Sequence, residues 1–386
     1  MRVAIDCRLW DEGGVGRYIR NLVYALNKHR SPIEYTLLVR PESKLQVTSY
    51  KLQTNFKLQI TNAKWHSVDE QLGFWRALEK EKFDLVHFPY FSHPILYNRP
   101  FVITIHDLTI LHFPTGKATT KSLPEYYLKR LAYVAALKHG IYKSQKILVP
   151  TEFVKEDILK NFKIPAEKIV VTYEGVGIEL QNSNSQIHKS TNQTQNSNYK
   201  VNNRNSREEK PYFLYVGNFY PHKNVEYLLE AFAKVKDEKV KLTLCGAESF
   251  FSKRMEEVVK KLNLESRVVF KYGVGNEELL ALYSSAVALV YPSKFEGFGL
   301  PIVEATALSC PLLLADIPVF HEIAPPGAEF FSLNNGSELA EKMNALLVKK
   351  QARLSEKEKE NYLAKFSFAK MALETERVYR EVVSSK

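Results

Sequence analysis

LVYPSKFEGFGLPIVEA, Leu289 to Ala305, is the stretch on which the reading of this chain turns. Leu289–Ser293 is a short apolar run of the buried-strand type. Pro301 suits the first position of a helix, where its missing N–H is no loss. Gly297 and Gly299 lie between, so the stretch is a strand-to-helix corner. The amides of Phe298, Gly299 and Leu300 then lie past the positive end of a helix, a ready anion site. Glu296 precedes the corner and Glu304 falls one turn into the helix, eight positions on. An anion cradle flanked by two acceptors for sugar hydroxyls suggests a nucleotide-sugar site. The plainer reading is a corner whose glutamates are solvated or cap the helix.

The same alternation runs along the whole chain. RVAIDC, YTLLVR, LVHFP, FVITIHD and ILVP in the first half read as strands, each followed by a helix-length stretch. YFLYVG, KLTLCG, RVVFKYG, AVALVYP and PLLLA do the same in the second. Strands rich in Val, Ile and Leu without strict alternation are buried on both faces, as in parallel sheets covered by helices. At 386 residues two domains are expected. Residues 181–206 separate them: 19 of these 26 positions are Asn, Ser, Gln or Thr, too polar to offset the entropy of ordering. The expected organisation is α/β: a doubly wound domain over 1–180, a disordered linker over 181–206, and a second doubly wound domain over 207–366. The tail 367–386 adds an amphipathic helix. Ligands of such sheets lie beyond the carboxyl ends of the strands, so two facing domains would hold a central cleft.

The net charge of +11 is uneven. Residues 1–180 hold 26 Lys+Arg against 18 Asp+Glu, whereas residues 207–386 balance at 25 against 25. A basic half fits nucleic acid, an anionic membrane surface or a plain solubility surplus. No apolar run approaches the ~20 residues that span a bilayer, and the N-terminus lacks a signal core. Cys7, Cys245 and Cys310 are far apart and read as buried hydrophobes of a reducing compartment. A cytoplasmic location follows.

Four further segments bear on chemistry. Gly13, Gly14 and Gly16 follow the first strand and open a helix, where backbone approaches a phosphate or sugar. Their spacing is not that of a dinucleotide fingerprint, and the next strand ends in Arg40 instead of an acid, which disfavours a dinucleotide cofactor. YVGNFYPHKN places Lys223 at a helix start, as a diphosphate requires, or as a simple cap lysine. Gly273 and Val274 repeat the theme of strand end, glycine and helix. His106 closes a strand, where an imidazole can donate to a sugar hydroxyl or serve structure alone. Residues 117–146 carry seven Lys+Arg, one acid and interleaved tyrosines. That suits an anionic leaflet with salt-screened attraction, or a helix packing by its apolar side; no motif for nucleic acid accompanies it.

FEGFGLPIVEA with its preceding YPS resembles the Glu-x7-Glu signature of retaining glycosyltransferases of family 4, which have the GT-B fold. GGVGRY is similar to that family's first loop, HDL to its first-domain histidine segment, and YVGNFYPHKN to its second-domain phosphate loop. In that loop Asn218 stands where many members have arginine, with His222 beside the lysine. The resemblance covers nearly the whole chain except the linker. It implies that a terminal helix crosses back to the first domain. It implies transfer of a sugar from a nucleoside diphosphate sugar, the co-substrate, to a glycan or lipid-linked acceptor, with retained configuration and no metal or other cofactor. By it, Glu296, His106 and Lys223 are catalytic. Gly14, Asn218, His222, Lys223, Gly273, Val274, Glu296, Phe298, Gly299, Leu300 and Glu304 bind the donor. The HDL and Pro-x-Lys-Asn details look mannosyltransferase-like, which makes GDP-mannose the first donor. The alternatives are a sugar-nucleotide epimerase of the same fold and a non-catalytic sugar-nucleotide-binding protein. An enzyme peripheral on the inner face of the membrane is consistent with the basic half. Replacing Glu296 or Lys223 with Ala is expected to remove transfer and leave the fold intact.

Overall fold

The computed structural model describes residues 1–113, 123–177, 210–349 and 354–385. The polar segment 181–206 and the basic residues 117–122 lie outside the described residues. The chain divides into two compact units, Met1–Gly175 with Lys365–Lys386, and Val176–Ala364.

The first unit holds β1 (Arg2–Asp6), β2 (Glu34–Val39), β3 (Phe56–Ile60), β4 (Leu85–Phe88), β5 (Phe101–Thr104), β6 (Lys146–Val149) and β7 (Ile169–Val171). Its helices are α1 (Gly13–Lys28), α2 (Lys44–Ser49), α3 (Trp75–Glu81), α4 (Thr109–His112), α5 (Leu123–Lys143) and α6 (Glu152–Asn161). The second unit holds β8 (Tyr212–Val216), β9 (Lys241–Gly246), β10 (Val268–Tyr272), β11 (Ala288–Tyr291), β12 (Leu312–Ala315) and β13 (Glu329–Phe331). It carries α7 (Val225–Phe232), α8 (Phe250–Lys261), α9 (Asn276–Ser285), α10 (Leu300–Ala307), α11 (Pro318–Ile323), α12 (Glu338–Val348) and α13 (Glu356–Lys365). Helix α14 (Phe368–Ser384) returns to the first unit.

Both sheets are parallel throughout. Their orders are β3-β2-β1-β4-β5-β6-β7 and β10-β9-β8-β11-β12-β13. Each is the doubly wound order, in which strand succession reverses beside the first strand. β1, β4, β5, β11 and β12 are buried almost throughout, because helices cover both faces. The strands that the apolar runs did not announce are β3, β7 and β13, all at sheet edges. An edge strand meets water, so its sequence is shorter or more polar.

A buried polar chain fastens α14 to the first sheet. His87 on β4 hydrogen-bonds Tyr379 Oη at 2.6 Å and Thr104 Oγ1 at 2.7 Å, and Thr104 Oγ1 lies 3.2 Å from Tyr18 Oη. Burial, with His106 adding to it, pushes the His87 ring down to about 3, so it stays neutral and one nitrogen accepts. Around this chain, Tyr35 Oη donates to Glu376 at 3.2 Å and Lys146 pairs with Glu381 at 2.7 Å. Removing one partner of a fully buried group exposes its whole desolvation cost. Tyr379→Phe is therefore expected to lower unfolding stability by about 1–3 kcal/mol. In urea this reads as a lower midpoint at constant slope, and an unchanged midpoint would show that the chain of bonds contributes nothing.

Candidate active site

In the second unit the strand order reverses between β8 and β11, and the two loops leaving their carboxyl ends meet. The β8 loop runs through Gly217–Tyr220 into a single 3-10 turn, Pro221–Lys223, and then Asn224 at φ +59°. Asparagine tolerates that left-handed conformation better than most residues. The β11 loop is Pro292–Gly299. Lys294 N donates to His222 O at 2.8 Å and Asn224 Nδ2 to Pro292 O at 3.2 Å, so the loops are latched.

The latch delivers a charged pair. Lys223 Nζ donates to both Glu296 oxygens, at 2.6 and 2.7 Å, and Ser293 Oγ donates to Oε1 at 2.7 Å. The Lys223 and Glu296 side chains are only 12% and 9% exposed. Glu296 also raises the already burial-raised Tyr215 and Tyr291 hydroxyls, so its charge is felt in the floor of the site.

Gly299 turns the chain into α10 at φ +128°, a conformation in which a side chain would be strained and would press on Ile323 at 3.0 Å. Pro301 lies in the first turn. Phe298 is buried and Leu300 half-buried at the helix start. Glu304 is closed to solvent, with Tyr283 Oη donating to its Oε2 at 2.9 Å. Gly273 and Val274 follow β10, and a Cβ at Gly273 would meet nothing within 4 Å. Asn218 Oδ1 accepts from Tyr220 N at 3.3 Å, and the His222 ring stacks 6.0 Å from Tyr220.

In the first unit the reversal falls between β1 and β4. The glycine run opens α1 there. Gly16 has no room for a Cβ, which would lie 2.4 Å from Trp10 O, while Gly14 is open. His106 Nδ1 lies 3.3 Å from Glu174 and Nε2 lies 3.0 Å from Pro89 O. Burial alone would lower its pKa, but the Glu174 bond and charge, with the Pro89 carbonyl and Asp107, raise it. Both ring nitrogens face acceptors, so a sugar contact at His106 requires exchange of one of these contacts.

Sequence reasoning missed the neighbours. Arg8 Nη2 bridges Asp6 and Glu70, at 2.7 Å each, and stacks 3.8 Å over Phe74. Ser92 Oγ donates to Glu70 at 2.7 Å, and His66, at φ +55°, donates its N–H to Glu70 at 3.1 Å. Trp65, His66, Tyr90, Phe91 and Tyr133 form a partly exposed cluster of rings beside this pair. The one local signal was Arg8, a cation two residues past the end of β1. Among the described residues no group of three His, Cys, Asp or Glu side chains is placed to hold a metal ion.

The buried pair alters one expectation. Breaking it from one side strands a charge in a low-dielectric site, at a cost of about 3 kcal/mol. Lys223→Ala is thus expected to destabilise the protein, and Lys223→Met with Glu296→Gln to cost less than the sum of the two. A double-mutant cycle in urea reads this coupling; additive values would mean the pair is solvated. The histidine offers a second test. Glu174→Gln should shift the His106 ring resonance in NMR titration to lower pH. Stability from the wild-type pair is full below about pH 6.5 and is lost as pH rises through the raised folded value, and the variant should lack that loss.

The described family models account for both units. One, Glycosyltransferase Family 4, matches residues 12–180, and another, Glycosyl transferases group 1, matches residues 198–362. The chain is 31% identical over 235 residues to the O-antigen chain mannosyltransferase RfbU of Salmonella typhimurium, covering 61% of this chain and 57% of that protein. It is 29% identical over 252 residues to O-antigen chain mannosyltransferase B of Escherichia coli, covering 64% and 61%. Each match spans less than two thirds of the relative. Among solved structures, sucrose-phosphate synthase from Thermosynechococcus elongatus shares the fold over 100% of both chains, with a TM-score of 0.73 at 18% identity. With one model on each Rossmann-like unit and the glutamate pair on the second, the chain belongs to the family 4 glycosyltransferases of GT-B fold.

Proposed function

We propose that the protein is a retaining hexosyltransferase that moves mannose from GDP-mannose to a hydroxyl of a growing polysaccharide. The observation that carries this is the buried Lys223–Glu296–Ser293 cluster at the carboxyl edge of the second sheet, beside the Gly299 turn. The mannosyl choice is supported by the printed activities of the O-antigen relatives.

The second unit binds the donor. Two of the three Lys223 N–H groups point at Glu296, leaving the third for a diphosphate oxygen. The Phe298–Leu300 amides at the α10 start add fixed donors, and His222 supplies the contact that Asn218 is too short to make. Glu296, acceptor-only and held rigid by Lys223 and Ser293, takes sugar hydroxyls and stabilises positive charge developing at the anomeric carbon. Glu304 takes the ribose hydroxyls, which requires the α10 start to move aside because its carboxylate is closed to solvent. Gly273 and Val274 bring open backbone to the base.

The first unit binds the acceptor, through Gly14, His106 and the rings around Tyr90. The acceptor oxygen attacks the anomeric carbon on the face from which the diphosphate departs. The C–O bond to phosphate breaks, the new glycosidic bond forms, and the leaving phosphate oxygen takes the acceptor proton. The electrostatic work falls to Lys223 and backbone amides, so no metal or other cofactor enters this scheme. The acceptor is lipid-linked and the enzyme works at the cytoplasmic face of a membrane. Among the described residues no helix is long and apolar enough to cross one.

Glu296→Gln keeps the shape of the side chain and removes its charge. Its transfer rate is expected to fall by about 10²–10³, with GDP-mannose still raising the melting temperature by binding the native state. Turnover near the wild-type rate would overturn the site, and stabilisation by uridine but not guanosine diphosphate sugars would overturn the donor.

A further inference from the structure

His66 sits at the centre of the ring cluster in the first unit. Its imidazole lies 4.2 Å from Tyr133, 4.5 Å from Trp65, 5.5 Å from Phe91 and 5.9 Å from Tyr90, centroid to centroid. Trp65 and His66 follow β3, and Tyr90 and Phe91 follow β4. The cluster therefore stands at the carboxyl edge of the sheet, where ligands of such sheets lie. Phe91 is buried, whereas the other four rings are half-buried and keep part of their surface in solvent. A cluster that only fills a core closes over its rings and pairs their polar atoms. Here neither His66 ring nitrogen nor Trp65 Nε1 has a hydrogen-bond partner among the described residues.

The backbone beneath is held against its own preference. His66 has φ +55°, a left-handed conformation that a residue with a side chain keeps only where its surroundings fix it. Glu70 fixes it. Its Oε2 accepts from His66 N at 3.1 Å and from Ser92 Oγ at 2.7 Å, while its Oε1 accepts from Arg8 Nη2 at 2.7 Å. A buried ion pair thus holds the imidazole among the rings.

The chemistry selects one ligand class. Burial, and with it the charge of Arg8, pushes the His66 ring down to about 4, so the ring is neutral and offers one donor and one acceptor. Behind the rings one cation, Arg8, faces two carboxylates, Asp6 and Glu70, a balance that repels phosphate and carboxylate. Uncharged hydroxyls suit a neutral imidazole and an indole N–H, and the C–H face of a pyranose packs on the electron-rich face of an aromatic ring. We propose that Trp65, His66, Tyr90 and Tyr133 form a subsite for an uncharged pyranose ring of the acceptor, with His66 reading its hydroxyls. Pro89, next to Tyr90, meets His106 through its carbonyl at 3.0 Å, so the subsite borders that histidine. That the bound ring belongs to an acceptor rests on the transferase reading; that it is a neutral sugar does not.

The test is saturation-transfer NMR on the full chain with methyl α-mannoside, methyl β-galactoside and methyl β-glucoside, and with mannose 6-phosphate as the charged counterpart. At least one neutral glycoside is expected to bind, with saturation strongest on one face of its ring, and mannose 6-phosphate to bind at least about tenfold more weakly. His66→Gly and Trp65→Leu should each weaken glycoside binding at least about tenfold. Glycine takes φ +55° without strain, which offsets the lost ring packing, so His66→Gly should keep its melting temperature within about 4 °C. Absence of binding by all of the neutral glycosides overturns the proposal. So does tighter binding of mannose 6-phosphate, or binding by both variants at the wild-type level. Lost binding with a larger fall of melting temperature in both variants makes the rings structural and overturns it too. Glycoside binding that responds to His66→Gly, without any transfer from GDP-mannose, would sink the enzymatic reading and leave the subsite standing. Transfer whose acceptor KM is unchanged in His66→Gly would do the reverse.

Discussion

A reversal of strand order governs where chemistry can occur in this protein. Crossovers between parallel strands are right-handed, so helices on either side of the first strand of each sheet go to opposite faces. Beside β1 and beside β8 the connections from neighbouring strands therefore run to opposite faces, and the loops at their carboxyl ends lie side by side. The Lys223–Glu296 and Arg8 clusters each sit at one of these two places. Lys223 comes off β8 and Glu296 off β11; Arg8 comes off β1, while Tyr90 and Phe91 follow β4.

The two reversal points solve the same electrostatic problem differently. Lys223 and Glu296 form one mostly buried pair, with Ser293 as a third member and the β8 and β11 loops latched around it. Such a pair adds little to stability for its own sake, but it holds two side chains in fixed positions. Arg8 is shared between two carboxylates and lies over Phe74, and burial's tendency to lower its pKa is outweighed by Asp6 and Glu70. It acts as a girder, fixing Glu70 and through it the His66 backbone under the ring cluster. The second unit holds its cation slightly exposed against one carboxylate, and the first buries its cation between two carboxylates beneath a surface of rings.

Much of this was legible in the chain. Apolar β-branched runs identify parallel strands covered on both faces, and all ten such runs became strands, nine of them central and β10 at an edge. The edges β3, β7 and β13 were not readable, since a strand with one free side needs no continuous apolar run. The glycine corner before Pro301 was readable because only glycine adopts φ +128° without strain, and Gly299 does so. The basic helix was readable as basic and aromatic, but not as two-faced: which of its apolar positions meet the core depends on what packs against it.

The sequence by itself determined the two doubly wound units, the family and the loops that carry the candidate site, because strand periodicity, glycine corners and helix-start prolines are local properties of the backbone. Tertiary structure alone decided that Lys223 and Glu296, 73 positions apart, are partners. It alone set Glu304 behind Tyr283, engaged both nitrogens of His106, and joined Arg8 to Glu70 across 62 positions. The reason is physical. A charge's partner is set by distance in space and by the dielectric around it, and neither is defined until the strands have taken their order.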